Sequence, residues 1–150
     1  MSFDLNIPKS FNSVQVDQFL THQLLEINGE LVDVGIGKPA QKGKIMYESG
    51  NIILIEYFVT DFKVIISANI EASMISELYF PQVCIDLNNG HIFSPKCTCE
   101  ASEGGICTHV SCLLYAILDI VSKKEPKITR PGTSKVLVCI YILLFLSHFF

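Results

Sequence analysis

Residues 97–109 have the sequence CTCEASEGGICTH, in which three cysteines and one histidine follow the pattern C-x-C-x7-C-x-H. Structural zinc sites take four ligands in a tetrahedral arrangement, drawn mainly from cysteine sulfur and histidine nitrogen. This short segment supplies the right ligand types in the right number. The sequence therefore predicts one bound zinc ion, with Cys97, Cys99, Cys107 and His109 as its ligands.

The segment before this motif predicts a β-hairpin. Apolar residues alternate with others over 79–85, the Asn-Asn-Gly sequence at 88–90 suits a tight turn with positive φ, and 91–97 are expected to return as the second strand. Residues i and i+2 of an extended strand point to the same face. Cys97 and Cys99 are therefore expected to reach the same ion.

The segment after the motif predicts a helix that begins near Thr108. Its apolar residues recur at helical spacing, at Val110, Leu113, Leu114, Ile117, Leu118 and Val121. Residues 100–106 contain two adjacent glycines and are long enough to turn the chain back over the ion. Cys107 would then precede the helix and His109 would lie in its first turn, where helix amides favour thiolate charge.

Two further cysteines have a different interpretation. Cys84 lies between two apolar residues of a predicted strand, and we expect it to be a small buried residue. Cys112 follows His109 by three residues, and packing within the helix is favoured over a role as a replacement ligand. No secretory signal is visible in residues 1–30, so an intracellular location with thiols or metal ligands is expected rather than disulfides.

The composition of the whole chain is that of a folded protein. Its 150 residues are 49% apolar with a mean hydropathy of +0.41, which excludes a disordered chain and suits a single core. The net charge is −4, so the protein as a whole does not attract phosphate. Any contact with nucleic acid would have to be local.

The rest of the pattern predicts an α+β fold, with a small antiparallel sheet and helices that end in a ββα zinc finger. A helix is predicted over 14–27, with Ser13 as its N-cap and Asn28-Gly29 as its C-terminal stop. Residues 29–43 contain four glycines and Pro39 and are predicted as a loop with a short strand near 31–34. Residues 51–60 are predicted to form a strand. Residues 62–70 are predicted to form a half-buried strand, in which Phe62, Val64, Ile66, Ala68 and Ile70 alternate with other residues. The first twelve residues are expected to be loosely held.

The predicted organisation has four parts. An N-terminal helix and β-rich body occupy 1–75, and the finger region with its core motif occupies 76–124. A basic linker follows at 125–135, and an apolar tail at 136–150.

The motif resembles the SWIM-type zinc finger, in which CTC lies on a hairpin strand and CTH opens an apolar helix. The resemblance covers 97–109 and extends with the supporting elements to about 78–122. It implies a ββα fold, one structural zinc on the four motif residues, and binding of DNA or protein, with the nucleus as one location. The finger occurs in bacterial helicase-related proteins, plant transposase-derived regulators and signalling proteins.

A narrower and weaker resemblance concerns residues 90–117, GHIFSPKCTCEASEGGICTHVSCLLYAI. They are similar to a group of animal proteins in which the finger precedes a YqaJ-type viral recombinase domain. This resemblance implies that the chain is a fragment of a larger transposase- or recombinase-related protein. The chain itself lacks residues that could hold the nuclease chemistry.

An enzymatic role is not expected for this chain. Four protein ligands leave no open position on zinc for a substrate or an activated water. Glu100 and Glu103 lie in the predicted zinc loop, where acidic side chains are expected to be solvated. The sequence contains no phosphate-binding loop, nucleophile elbow or paired-carboxylate arrangement.

A basic run follows the predicted helix. Residues 123–135 carry a local charge of +4 from one glutamate and five basic residues, Lys123, Lys124, Lys127, Arg130 and Lys135. These side chains could contact nucleic acid, or they could complement the helix dipole and keep a linker soluble. The partner, protein or DNA, stays open at this point.

The tail at 136–150 is apolar at 13 of its 15 positions. As a helix it would span about 22 Å, short of the roughly 30 Å hydrocarbon core of a bilayer. A membrane-anchored zinc-finger protein, a helix or strand on the core, and a non-native end are the alternatives. The last is favoured, because the sequence changes abruptly after Lys135, as translation into an intron or a truncated gene model would produce.

Overall fold

The computed structural model describes residues 7–21, 24–33, 37–71, 77–99, 106–122, 126–127 and 136–138. These residues form an α+β fold, as predicted. The helices are α1 (Ser13–Thr21), α2 (Gly37–Glu48) and α3 (Thr108–Val121). The strands are β1 (Leu24–Ile27), β2 (Glu30–Asp33), β3 (Ile52–Val59), β4 (Lys63–Glu71), β5 (Leu78–Tyr79), β6 (Gln82–Asp86), β7 (Ile92–Lys96) and β8 (Val136–Val138).

Six strands form the main sheet, in the order β7-β6-β4-β3-β8, with β5 also paired to β4. All pairs are antiparallel except β3–β8, which is parallel. Strand β4 alternates as predicted, with one face buried at Val64, Ile66, Ala68 and Ile70. Phe62 was expected to continue this row, but it precedes the strand and is 58% exposed.

Helix α3 lies in the core between helix α2 and the sheet, and it contacts α2, β4 and β6. Eight of its residues are buried: Val110, Ser111, Cys112, Leu113, Leu114, Ala116, Ile117 and Ile120. The helices α2 and α3 approach closely at Gly43. A Cβ atom there would collide with the side chain of Ser111 and would lie 2.8 Å from the backbone nitrogen of Cys112. Only glycine permits this crossing.

The helix predicted over 14–27 is wrong in its second half. Helix α1 ends at Thr21, and residues 24–27 pair with 30–33 as the β1–β2 hairpin. Asn28 and Gly29 form its two-residue turn with φ of 52° and 82°, a conformation that Asn-Gly favours. The N-cap is also one residue earlier than predicted, since the side chain of Asn12 accepts the Gln15 N–H at 3.0 Å.

The loop predicted over 29–43 is also wrong. Strand β2 covers most of the short strand expected near 31–34, but helix α2 begins at Gly37. Pro39 suggested a loop, yet it lies in the first turn of α2, where its missing N–H has no helical acceptor. Gly43 suggested a loop as well, but it lies within α2 at the point where α2 and α3 cross.

The first twelve residues were expected to be loosely held, and this expectation is wrong for Ser10 and Phe11. Phe11 is buried in the core, and the Ser10 hydroxyl donates a hydrogen bond to the carbonyl of Asn89. The backbone of Phe11 lies so close to Gly90 that a Cβ there would be 2.8 Å from the Phe11 nitrogen. Residues 1–6 lie outside the described part of the chain.

The hairpin before the motif is confirmed. Strands β6 and β7 pair antiparallel, and Gly90 adopts a φ of +73° in the turn between them. Strand β6 also pairs with β4, so the main sheet continues across the predicted boundary at residue 75. The division into 1–75 and 76–124 stays a prediction.

Part of the apolar tail forms strand β8, with Val136 opposite Ile55 and Val138 opposite Tyr57. Residues 139–150 and most of the basic linker lie outside the described residues, so the membrane-anchor and non-native alternatives stay predictions. Within the described part of the chain, no helix combines the length and apolar character needed to cross a membrane.

Candidate metal centre

Cys97 and Cys99 lie directly after strand β7. The sequence predicts them on an extended strand, but the strand ends at Lys96 and residues 98–99 form a bend. The Thr98 hydroxyl, between the two cysteines, accepts a hydrogen bond from the backbone N–H of Phe80 at 3.1 Å. This bond ties the bend to the chain that follows β5.

Cys107 and His109 occupy the predicted positions at the start of α3. Cys107 is the N-cap, with extended φ and ψ of −108° and 175°, and its sulfur accepts the Val110 N–H at 3.4 Å. Its carbonyl accepts hydrogen bonds from the backbone N–H and the hydroxyl of Ser111. His109 lies in the first helical turn. The helix start thus holds both residues.

The four predicted ligands converge. Their ligand atoms all lie within 4.8 Å of one another. Among the described residues, these four form the cluster of His, Cys, Asp or Glu side chains that is close enough to hold a metal ion. The Nδ1 atom of His109 is 3.7 Å from the sulfur of Cys97 and 3.8 Å from that of Cys107. A tetrahedron with the usual Zn–S and Zn–N bond lengths has S···N edges of about 3.6 Å. The cluster could therefore hold one ion.

Cys97 and Cys107 shift each other's pKa in opposite directions. The pKa of Cys107 is lowered to about 4, mainly by the hydrogen bond from Cys97. Burial raises this pKa, whereas hydrogen bonds from His109 and from the Val110 N–H lower it further. The hydrogen bond to Cys107, followed by burial, raises the pKa of Cys97. Metal binding requires deprotonated cysteines, so binding of an ion to this cluster would release protons.

Tyr79 belongs to the site, although the sequence suggested only a strand residue there. Its ring stacks on the His109 imidazole, with the ring centroids 4.3 Å apart and the planes 22° from parallel. Its hydroxyl donates a hydrogen bond to the Glu77 carboxylate at 3.2 Å. A contact between residues thirty positions apart has no local signal in a single sequence.

Cys84 and Cys112 lie in the core, as predicted. Cys84 is buried in strand β6 and Cys112 is fully buried in α3, and neither belongs to the cluster. Burial raises the pKa of Cys112 to about 12. Both behave as small apolar residues.

Of the predicted basic contact residues, Lys127 lies in the described part of the chain. Its backbone N–H donates a hydrogen bond to the Tyr47 hydroxyl at 3.0 Å, and its Nζ lies 5.9 Å from the centroid of the Tyr47 ring. The Tyr47 hydroxyl in turn donates to Asp119 of α3. Lys123, Lys124, Arg130 and Lys135 lie outside the described residues, as do Glu100 and Glu103 of the predicted zinc loop.

Comparison with known proteins adds no relative. The chain matches no protein-family model, and no curated protein or solved structure matches it. The residues and their geometry are therefore what supports a metal centre in this chain.

Proposed function

We propose that this chain is a structural zinc-binding module in which Cys97, Cys99, Cys107 and His109 hold one Zn²⁺. The observation that carries the proposal is the convergence of the four ligand atoms to within 4.8 Å of one another. Three sulfurs and one imidazole in a tetrahedral arrangement are a donor set that favours zinc over the harder divalent ions.

The role proposed for the zinc is mechanical. It would join the bend after β7 to the start of α3, and β6, β7 and α3 would together form a ββα finger of the SWIM type. Four protein ligands complete a zinc shell, which supports a structural site and a chain without enzymatic activity. Metal binding to such a site contributes to folding, because the ligands are not assembled in the unfolded chain.

A protein or DNA partner is part of the proposal through the SWIM-type resemblance, and the surface favours a protein. Leu78 and Phe80, on either side of Tyr79, are 42% and 45% exposed beside the cluster. Exposed apolar side chains suit a protein interface, whereas the net charge of −4 opposes binding to a phosphate backbone. If the chain binds duplex DNA, and if changing the basic run to alanine weakens that binding, DNA would be the preferred partner instead of protein.

The test is zinc stoichiometry of the full chain by native mass spectrometry. We expect one zinc in the wild type and in the control Cys84→Ala, whose sulfur is buried outside the cluster, and none in Cys97→Ala. Purified wild-type protein that neither carries nor takes up zinc would overturn the proposal.

A further inference from the structure

Strand β5 delivers an aromatic ring to the metal centre. Tyr79 pairs with Ile70 of β4, and the next residue donates its N–H to the Thr98 hydroxyl, so the backbone on both sides of the Tyr79 ring is anchored. The ring covers one face of the His109 imidazole at a centroid distance of 4.3 Å. The sheet, rather than the loop between the ligands, thus supplies this contact.

The stack bears on how His109 meets a metal ion. Its Nδ1 must point at the position between the sulfurs of Cys97 and Cys107, from which it is 3.7 and 3.8 Å away. A histidine side chain in the first turn of a helix can otherwise rotate, and ordering it costs conformational entropy. A ring held parallel to the imidazole limits that rotation before the metal arrives.

We infer that Tyr79 is a positioning residue of the metal centre, which raises zinc affinity by orienting and covering the His109 ring; this inference rests on the proposed zinc site. Stacked aromatic pairs contribute enough to change a binding constant by about threefold to tenfold. Tyr79→Leu should weaken zinc binding by that factor, while Tyr79→Phe should stay within about twofold because the ring is kept.

The experiment measures zinc affinity of the full chain by competition with a coloured chelator. Phe62→Leu is the matched control, because Phe62 is an exposed aromatic residue outside the cluster, and its substitution should leave the affinity unchanged. Circular dichroism and the Tm of the metal-free variants verify that each one folds.

A second background separates positioning from general stabilisation of β5. His109→Cys keeps four ligands but removes the imidazole, so Tyr79→Leu should have no effect on zinc affinity in that background. If His109→Cys binds no zinc, the comparison of zinc affinity among Tyr79→Leu, Tyr79→Phe and Phe62→Leu tests the positioning role by itself.

The outcomes distinguish the two proposals. Wild-type protein that binds no zinc overturns the zinc site and this inference together. Tyr79→Leu that binds zinc as tightly as the wild type, or that loses the same factor in the His109→Cys background, overturns the positioning role and leaves the zinc site standing.

Discussion

At the scale of single residues, Cys107 combines two roles. Its sulfur caps helix α3 by accepting the Val110 N–H, and the same sulfur is one of the four candidate ligands. Serine is a favourable N-cap but a poor zinc ligand. The two roles can therefore be separated by one substitution.

Cys107→Ser should keep the helix start and lose the metal. We expect zinc affinity to fall by more than about 100-fold, beyond the loss typical of a residue that only supports a ligand. The free energy of unfolding of the metal-free protein should stay within about 1 kcal/mol of the wild type, because the cap is retained. Zinc titration and urea unfolding measure the two quantities.

Cys112→Ser is the control and should behave in the opposite way. Cys112 is fully buried in the same helix but lies outside the cluster, so zinc stoichiometry should be kept while stability falls as a hydroxyl enters the core. Zinc affinity equal to wild type in Cys107→Ser would contradict the assignment of Cys107 as a ligand.

The four candidate ligands could be predicted because their signal is local. Cys97, Cys99, Cys107 and His109 share a short segment with a recognisable donor spacing, and each lies next to a strand or helix end that the pattern also indicates. Tyr79 could not be predicted as a partner of His109, because pairing of β5 with β4 brings the two rings together.

At the scale of elements, two predictions fail on the N-terminal side of the chain, each for its own reason. Leu24 and Ile27 fit the helical period of α1, and the Asn-Gly sequence after them is typical of a helix end as well as of a hairpin turn. In the structure, both residues lie in strand β1 of the β1–β2 hairpin, and Asn-Gly forms its turn. Helix α2 was missed because its glycines and proline are typical of loops. One of those glycines is needed by α3, which lies far away in the sequence.

Gly43→Ala tests that need. An alanine in the interior of a helix normally stabilises it by about 1 kcal/mol relative to glycine. Here the added Cβ would be 2.8 Å from both the Cys112 nitrogen and the Thr108 carbonyl oxygen. We expect a loss of about 1–3 kcal/mol in the free energy of unfolding, measured in urea, and weaker zinc binding because the start of α3 moves.

Lys44→Ala is the neighbouring control. Lys44 is exposed on the same helix, and its substitution should change stability by no more than about 0.5 kcal/mol. A Gly43→Ala variant more stable than the wild type would show that α2 and α3 do not cross as closely as described.

At the scale of the whole molecule, the candidate metal centre is continuous with the core. Helix α3 contributes eight buried residues and the candidate ligand His109, and its N-cap Cys107 is a second candidate ligand. Strand β6 pairs with β4, which lies on the other side of the predicted boundary at residue 75. Alternation in β4 and the apolar period of α3 made the α+β class predictable. The placement of α2 against α3 depends on contacts that a single sequence does not display.

Removal of zinc should therefore affect the entire fold. We expect the full chain to unfold in one cooperative transition, with a Tm that falls when a chelator is added; zinc at about 100 times its Kd should stabilise the fold by about 2.7 kcal/mol. Far-ultraviolet circular dichroism and tyrosine fluorescence should give coincident curves. Two separate transitions would contradict this and would support 1–75 and 76–124 as independent units.

The close crossing at Gly43 has a consequence for transplanting the metal centre into another protein. A thirteen-residue insert with the four ligands would leave behind the glycine that lets α3 approach α2 and the tyrosine that covers the histidine. A host scaffold would have to offer both at matching positions. A transplanted centre would thus need residues from α2 and β5 as well as the motif. A search for equivalent centres should compare this three-dimensional arrangement of residues rather than the spacing of the ligands in the sequence.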